Sequence, residues 1–312
     1  MSQSANAILM IRPFGFRANE QTAVNNYYQK NSEGMTADAL NDAAQKEFDA
    51  FVKVLQKHEI QVIVYQDTGE QDTPDSLFPN NWLSFHENGT VALYPMFAEN
   101  RRLERQEAVI ETVEASGFEV KYFMDYSDAE KDQIFLEGTG SIVLDRVNRK
   151  AYCALSPRAD EELFIEFCED FEYTPVVFHA NQTVNGKRLP IYHTNVMMSI
   201  ADRYAVVCLD AIDDKKERRM LEKNLKFDGK KIIELDERQI ASFAGNMLQV
   251  LSKSGKSHLV MSQQAFDALR SEQINMLNAL DPIITSSLST IETFGGGSAR
   301  CMMAEVFLPG VS

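Results

Sequence analysis

Cysteine, histidine and long apolar runs are scarce in this 312-residue sequence. Four cysteines, Cys153, Cys168, Cys208 and Cys301, lie far apart and never at a Cys-x-x-Cys spacing. That excludes a zinc knuckle and gives no disulfide frame, so reduced thiols in a cytoplasmic setting are expected. No apolar run approaches the ~18 residues that span a membrane, so no membrane partner is expected. The stretch MSQSANAILMIRPFGF has no basic leader and carries an arginine, so it does not read as a secretory signal. Basic residues are outnumbered, 31 Lys and Arg against 46 Asp and Glu, for a net charge of −15. Such a surface repels a phosphate backbone, which removes nucleic acid from the expected partners.

What is present is ordinary for a globular chain with a sizeable core: 44% hydrophobic and 25% charged residues. No linker or composition break divides it, so one domain over residues 1–312 is expected. A rhythm runs along it. Short β-branched runs (IQVIVY from Ile60, FEVKYF from Phe118, TPVVFH from Thr174, KKIIEL from Lys230, DPIITS from Asp281) recur every ~50–60 residues. Hairpin-like pairs lie between them, beginning with WLSFHENGTVALYP and its Asn88-Gly89 turn. GSIVLDRVNRKAYCALS, NVMMSIADRYAVVCLDA and NMLQVLSKSGKSHLVMS read the same way. The unit is hairpin, helix, strand, and about five fit, with SARCMMAEVF left as a last strand to complete the set. The expected fold is α/β: five ββαβ units arranged radially as a pseudo-symmetric propeller. An open α/β sheet with hairpin insertions is the alternative.

One crowded turn, ETFGGGSARCMMAEVFLP, stands near the end of the sequence. No Gly-Lys-Ser/Thr follows it and no helix opens from it, so a phosphate cradle is disfavoured. Cys301 is then either an inert core thiol or a nucleophile, with glycines clearing space and Arg300 beside it. A nucleophilic cysteine needs an acid/base partner. Of five histidines, His58 and His258 sit in charged context, His86 in the first hairpin, and His179 at a strand end. His193 lies in LPIYHTNVMMSI, flanked by Thr194 and Asn195, where polar residues interrupt an apolar run. Glu137 in QIFLEGTGSIVLD is a carboxylate inside a buried-looking run and needs a partner to offset desolvation.

These pieces, LEGTGS, YHTN and GGGSARCM, occur in that order at the starts of different units. The sequence resembles the guanidino-group-modifying enzymes of the pentein superfamily: arginine deiminases, dimethylarginine dimethylaminohydrolases and amidinotransferases. The likeness covers essentially the whole chain. PDSLFPNNW, ALSPRAD and GNML also match family segments, and the N-terminal IRPFGFRANEQTAVNN is most similar to a citrulline-utilisation, amidinotransferase-like branch. The resemblance implies a five-fold α/β propeller and a cysteine hydrolase with no metal and no organic cofactor. It implies that Cys301 attacks the substrate carbon, that His193 moves protons, and that Glu137 holds His193. Arg158 would receive the substrate α-carboxylate, and Asp75 the α-amino group. The partner would be a small amino-acid substrate, and a homodimer is compatible.

One departure bears on the substrate. Where relatives that act on arginine carry a carboxylate, this sequence has Asn81, preceded by Asn80; where arginine deiminases have His-x-Asp, it has His193-Thr194-Asn195. Amides donate and accept, which suits a neutral ureido group better than a cation. The expected reaction is therefore hydrolysis of citrulline to ornithine, ammonia and carbon dioxide. Amidine transfer, or an arginine or methylarginine deiminase-type reaction, is the runner-up. A non-catalytic pentein binding module is the alternative from another class. A papain-like enzyme is disfavoured by the order Glu, His, Cys. Arg300 could tune the thiol, bind substrate or brace the corner. MIRPFGFRANEQTAVNNYYQKN and HANQTVNGKRLP are loop-rich lid candidates.

Overall fold

The computed structural model describes residues 2–30 and 35–311. Among these residues, seventeen strands form five three-stranded sheets and one two-stranded hairpin. In chain order, β1 (Ala7–Arg12) and β2 (Gln61–Gln66) are parallel. β3 (Leu83–Phe85), β4 (Thr90–Leu93) and β5 (Tyr122–Asp125) make the second sheet. β6 (Ile142–Asp145), β7 (Lys150–Ala154) and β8 (Thr174–Phe178) make the third. After the separate hairpin of β9 (Asn181–Val184) and β10 (Lys187–Pro190) comes the fourth sheet. It holds β11 (Met198–Ile200), β12 (Tyr204–Val207) and β13 (Lys231–Glu234). β14 (Leu248–Leu251), β15 (Ser257–Ser262) and β16 (Ile283–Ser286) make the fifth. β17 (Ala304–Glu305) returns to pair antiparallel with β1, completing the first sheet.

Every sheet thus has one plan: an antiparallel pair, then a parallel outer strand reached through a helical crossover. A parallel pairing requires such a crossover because the chain must return to the same end of the sheet. The crossover helices include Ala37–Lys57, Glu107–Ala115, Glu161–Asp170 and Lys215–Phe227. Thr36, Asp160 and Asp214 cap three of them with side-chain oxygens on first-turn N–H groups. Each helix turns its apolar stripe onto strands. Phe48, Phe51 and Leu55 of Ala37–Lys57 bury against Ile8 and Met10 of β1 and Ile284 of β16. Each such side chain contributes roughly 1.5–3 kcal/mol by leaving water.

The first strands of the sheets lie beside one another: β17 by β3, β6 by β11, β11 by β14. A hydrogen bond from Leu251 N–H to Ala5 C=O ties the fifth sheet to the first. No helix among the described residues is long and apolar enough to cross a membrane.

Three sequence expectations change. SARCMMAEVF is a strand only at Ala304–Glu305; Cys301 sits in a turn before it. HANQTVNGKRLP is a hairpin, not a loop, because Asn185 and Gly186 at φ 50° and 76° make a two-residue turn. His258 is buried on β15, although the residues just before it, Lys253 to Ser257, are polar, charged or glycine. The first lid candidate runs past the described residues at Asn31.

Candidate active site

Each sheet is preceded by a tight turn, and most of the expected site residues sit in those turns; Arg158 instead lies between β7 and the helix Glu161–Asp170. Asn80 and Asn81 lie in the one-turn helix Pro79–Asn81 before β3. Glu137 begins the turn Gly138–Ser141 before β6, and His193 the turn Thr194–Met197 before β11. Asn246 precedes β14, and Cys301 precedes β17. Equivalent positions of five repeats therefore converge, which no local pattern could show for any one of them.

Close approach depends on two glycines. A Cβ at Gly140 would stand 2.4 Å from Asn81 Nδ2 and 2.8 Å from His193 Nδ1. A Cβ at Gly245 would stand 2.3 Å from the Val196 carbonyl oxygen. Real Cβ atoms do not sit at such distances, so the convergence requires glycine at both places.

His193 and Glu137 are buried and share a hydrogen bond of 2.7 Å, Nε2 to Oε2. Burial drives His193 down to about 4 against the pull of Glu137, so its imidazole is neutral at neutral pH. Burial disfavours the Glu137 carboxylate, but Arg158, His193 and Arg101 outweigh it and hold the group below its ordinary value. An ionised Glu137 accepts, so Nε2 carries the proton and Nδ1, over Gly140, is left as the base. Phe97 N–H holds the other Glu137 oxygen at 3.0 Å.

Cys301 is 3% exposed and faces amides. Asn246 Nδ2 lies 3.3 Å and Asn195 Nδ2 3.6 Å from Sγ. Asn195 also donates to the Thr139 carbonyl at 3.3 Å. Burial pushes the thiols of Cys168 and Cys208 up to about 12 and that of Cys153 higher still. All four cysteines are free.

One cleft gathers Asp75, Asn81, Arg101, Arg158, His193 and Cys301. Arg158 is buried. Its Nε donates to Asn25 Oδ1 at 2.8 Å, Nη2 to the same oxygen and to Thr22 C=O, and Nη1 to Glu137 at 3.4 Å. Its guanidinium lies 5.0 Å from the Tyr192 ring. Asp75 accepts from Asn19 at 2.8 Å and Thr22 at 3.3 Å through Oδ2, while Oδ1 has no partner among the described residues. Burial raises its carboxyl above the usual value. Asn81 Oδ1 accepts from Arg101 Nη1 at 2.8 Å, and its Nδ2 donates to Asn80 Oδ1 at 3.2 Å. Asn80 turns to Thr139 and is outside the cleft lining.

Arg300 is elsewhere. Its guanidinium donates to Met303 C=O at 2.8 Å and to Glu305 at 3.1 Å, and it lines a separate cavity behind Cys301. Two residues at the centre were not singled out from sequence. Arg101, in the charge-rich ENRRLERQE, reads as solvated but is buried against Glu104 at 2.9 Å. Asn246 belongs to a recognised segment, GNML, yet carried no role. Among the described residues no cluster of His, Cys, Asp and Glu could hold a metal ion.

Residues 12–308 match the family model described as N,N dimethylarginine dimethylhydrolase, eukaryotic. The chain belongs to this family. It is therefore a member of the pentein, amidinotransferase-like superfamily. Solved structures agree in fold. ArgZ, an arginine dihydrolase from the ornithine-ammonia cycle in cyanobacteria, superposes with TM-score 0.73 at 18% identity. That match covers 97% of this chain but 41% of the ArgZ chain. The N-terminal domain of ArgZ, in a substrate-bound variant, matches over 97% of this chain and 99% of that one, with TM-score 0.71 and 18% identity. A dimethylarginine dimethylaminohydrolase captured as an S-methyl-L-thiocitrulline adduct gives TM-score 0.63 at 14% identity, over 96% and 99% of the two chains. No curated protein is a significant match to this dimethylhydrolase-family chain.

Proposed function

We propose that this family member hydrolyses the ureido carbon of citrulline through a covalent Cys301 intermediate, giving ornithine, ammonia and carbon dioxide. The observation that carries the reading is one cleft lined by Cys301, His193, Arg158 and Asp75, with Glu137 holding His193 from behind. A free amino acid has a carboxylate for the guanidinium and an ammonium for the unpartnered Asp75 Oδ1. An ammonium there also relieves the cost of the buried carboxylate.

The thiolate adds to the planar carbon, and the π electrons move onto the ureido oxygen. His193, having taken the thiol proton on Nδ1, passes it to the departing nitrogen as the oxyanion electrons re-form the C=O and the C–N bond breaks, leaving a thiocarbamate on sulfur. Water, deprotonated by His193 Nδ1, then adds and the C–S electron pair returns to the cysteine. The carbamic acid released divides into amine and carbon dioxide. Captured relatives support a covalent route: a variant ArgZ N-terminal domain was obtained covalently bound to a reaction intermediate.

The amide at Asn81 favours the ureido group. Arg101 occupies its Oδ1, so the substrate side presents N–H, a donor for a C=O. Asn195, by contrast, is spent on the sulfur. The second reading, entry by arginine with passage on to ornithine, has the fold likeness to ArgZ in its favour. We also infer that the five sheets are blades of one pseudo-symmetric ring and that residues 1–312 form a single domain.

The deciding experiment is product analysis with purified protein and citrulline, arginine and methylarginines, with glycine added in parallel to detect amidine transfer. Ornithine and ammonia from citrulline are expected; a clear preference for arginine or methylarginine would overturn the ureido assignment.

A further inference from the structure

Asn246 is fully buried, and its amide is committed at every valence. Oδ1 accepts the backbone N–H of Arg300 at 3.1 Å. Nδ2 donates to the Asn195 carbonyl at 3.1 Å and to Cys301 Sγ at 3.3 Å. Reversing the amide would set Oδ1 against the Asn195 carbonyl and N–H against N–H at Arg300. Buried groups would be left unpaired, at ~1–3 kcal/mol each. The orientation is therefore fixed, and the sulfur faces a donor that cannot turn away.

Among the described residues, the side chains hydrogen-bonded to that sulfur are Asn246 and Asn195, and no cationic one. His193 Nε2 is held by Glu137, and the Arg300 guanidinium by Met303 and Glu305. The backbone N–H of Arg300 orients Asn246, while its guanidinium acts on the thiol only through space. Gly245 lets the loop lie against Val196 and so brings Asn246 within reach.

We propose that Asn246 is a catalytic residue, an obligatory N–H donor that favours the Cys301 thiolate over the thiol. A hydrogen bond to an anionic acceptor is roughly twice as strong as one to a neutral acceptor, so it acts selectively on the charged form. The same N–H receives sulfur again as the C–S bond breaks and its electron pair returns. Asn195 Nδ2, at 3.6 Å, is a second and longer contact of the same kind. The inference rests on Cys301 being the nucleophile, not on which substrate it attacks.

The test is iodoacetamide alkylation of Cys301 in the full chain across a pH series, followed by intact mass, with Cys301→Ser to assign the label. Asn246→Asp keeps the shape and the acceptor for Arg300 but replaces the donor by an oxygen. Asn246→Ser, which removes the donor without adding charge, decides the matter if the first variant does not fold. In either folded variant, alkylation near neutral pH should slow about tenfold or more, with the profile displaced by about one pH unit to the alkaline side. A profile that overlays wild type, even with a lowered melting temperature, would overturn the proposal and leave Asn246 a structural residue. Alkylation needs no substrate. A displaced profile without citrulline turnover therefore counts against the citrulline reading alone.

Discussion

Asn81 holds Arg101 through its oxygen and turns its amide nitrogen over Gly140, beside the base of His193. Substrate choice is argued at this residue. Asn81→Asp places an anion in a cleft with Arg101 and Arg158, and that anion attracts a guanidinium more than a neutral ureido group. The ratio of kcat/KM for arginine to that for citrulline should rise about tenfold or more, measured on the purified variant. An unchanged ratio would show that Asn81 does not face the reacting group. Arg158→Ala should weaken amino-acid binding by about 2 kcal/mol or more, read as a raised KM, because the guanidinium is buried. Single residues were unevenly legible. His193 and Glu137 stand out as polar side chains interrupting apolar runs, whereas Cys301 is marked by its glycine-rich turn and by the family resemblance. Arg101 does not, since its segment looks like a solvated charged face. Arg300 misleads in the other direction. It neighbours the cysteine in sequence, but within a tight turn the side chain leaves on the far side.

Turns before the first strands are the elements that matter, and two glycines separate their roles. At Gly140 an added methyl meets the ends of Asn81 and His193 side chains, so Gly140→Ala should lower kcat by tenfold or more while melting changes little. At Gly245 it meets the backbone of Val196 and Met197, which cannot swing aside. Gly245→Ala should therefore lower the melting temperature as well as activity; parallel thermal melts and rate measurements check the contrast. The strands themselves were readable because alternating residues and Asn-Gly turns declare hairpins. The two-residue β17 was not, because the apolar run around it is buried mostly without ladder pairing.

On the scale of the whole molecule, sheet one joins residues from both ends of the chain. Val306 N–H donates to Ala7 C=O, and β17 covers one edge of β1. Deleting residues 304–311 should expose Ile8 and Leu9 and produce an aggregating protein, visible by light scattering and lost cooperative melting. Acid should act globally too. His193 has a folded value of about 4, below its ordinary 6.5, so the unfolded chain takes the proton first as pH falls. Its contribution is complete above pH 6.5 and declines until about 4, by about 3 kcal/mol in all. Glu104 and Glu292, which burial pushes up to about 7, work in the opposite sense. The His193 contribution is therefore the difference in urea midpoints between wild type and His193→Gln across that window. Equal slopes for the two proteins would assign the acid sensitivity elsewhere.

The sequence by itself carried the hairpin-and-strand rhythm, because period and turn chemistry are local properties, and its family resemblance singled out the cysteine, histidine and glutamate. Tertiary structure alone decided which amides face sulfur, which arginines face the cleft, and that Arg300 faces neither. Those outcomes depend on five turns, distant in the chain, meeting at one point. Burial and hydrogen-bond geometry there, and not residue type, fix what each side chain can do.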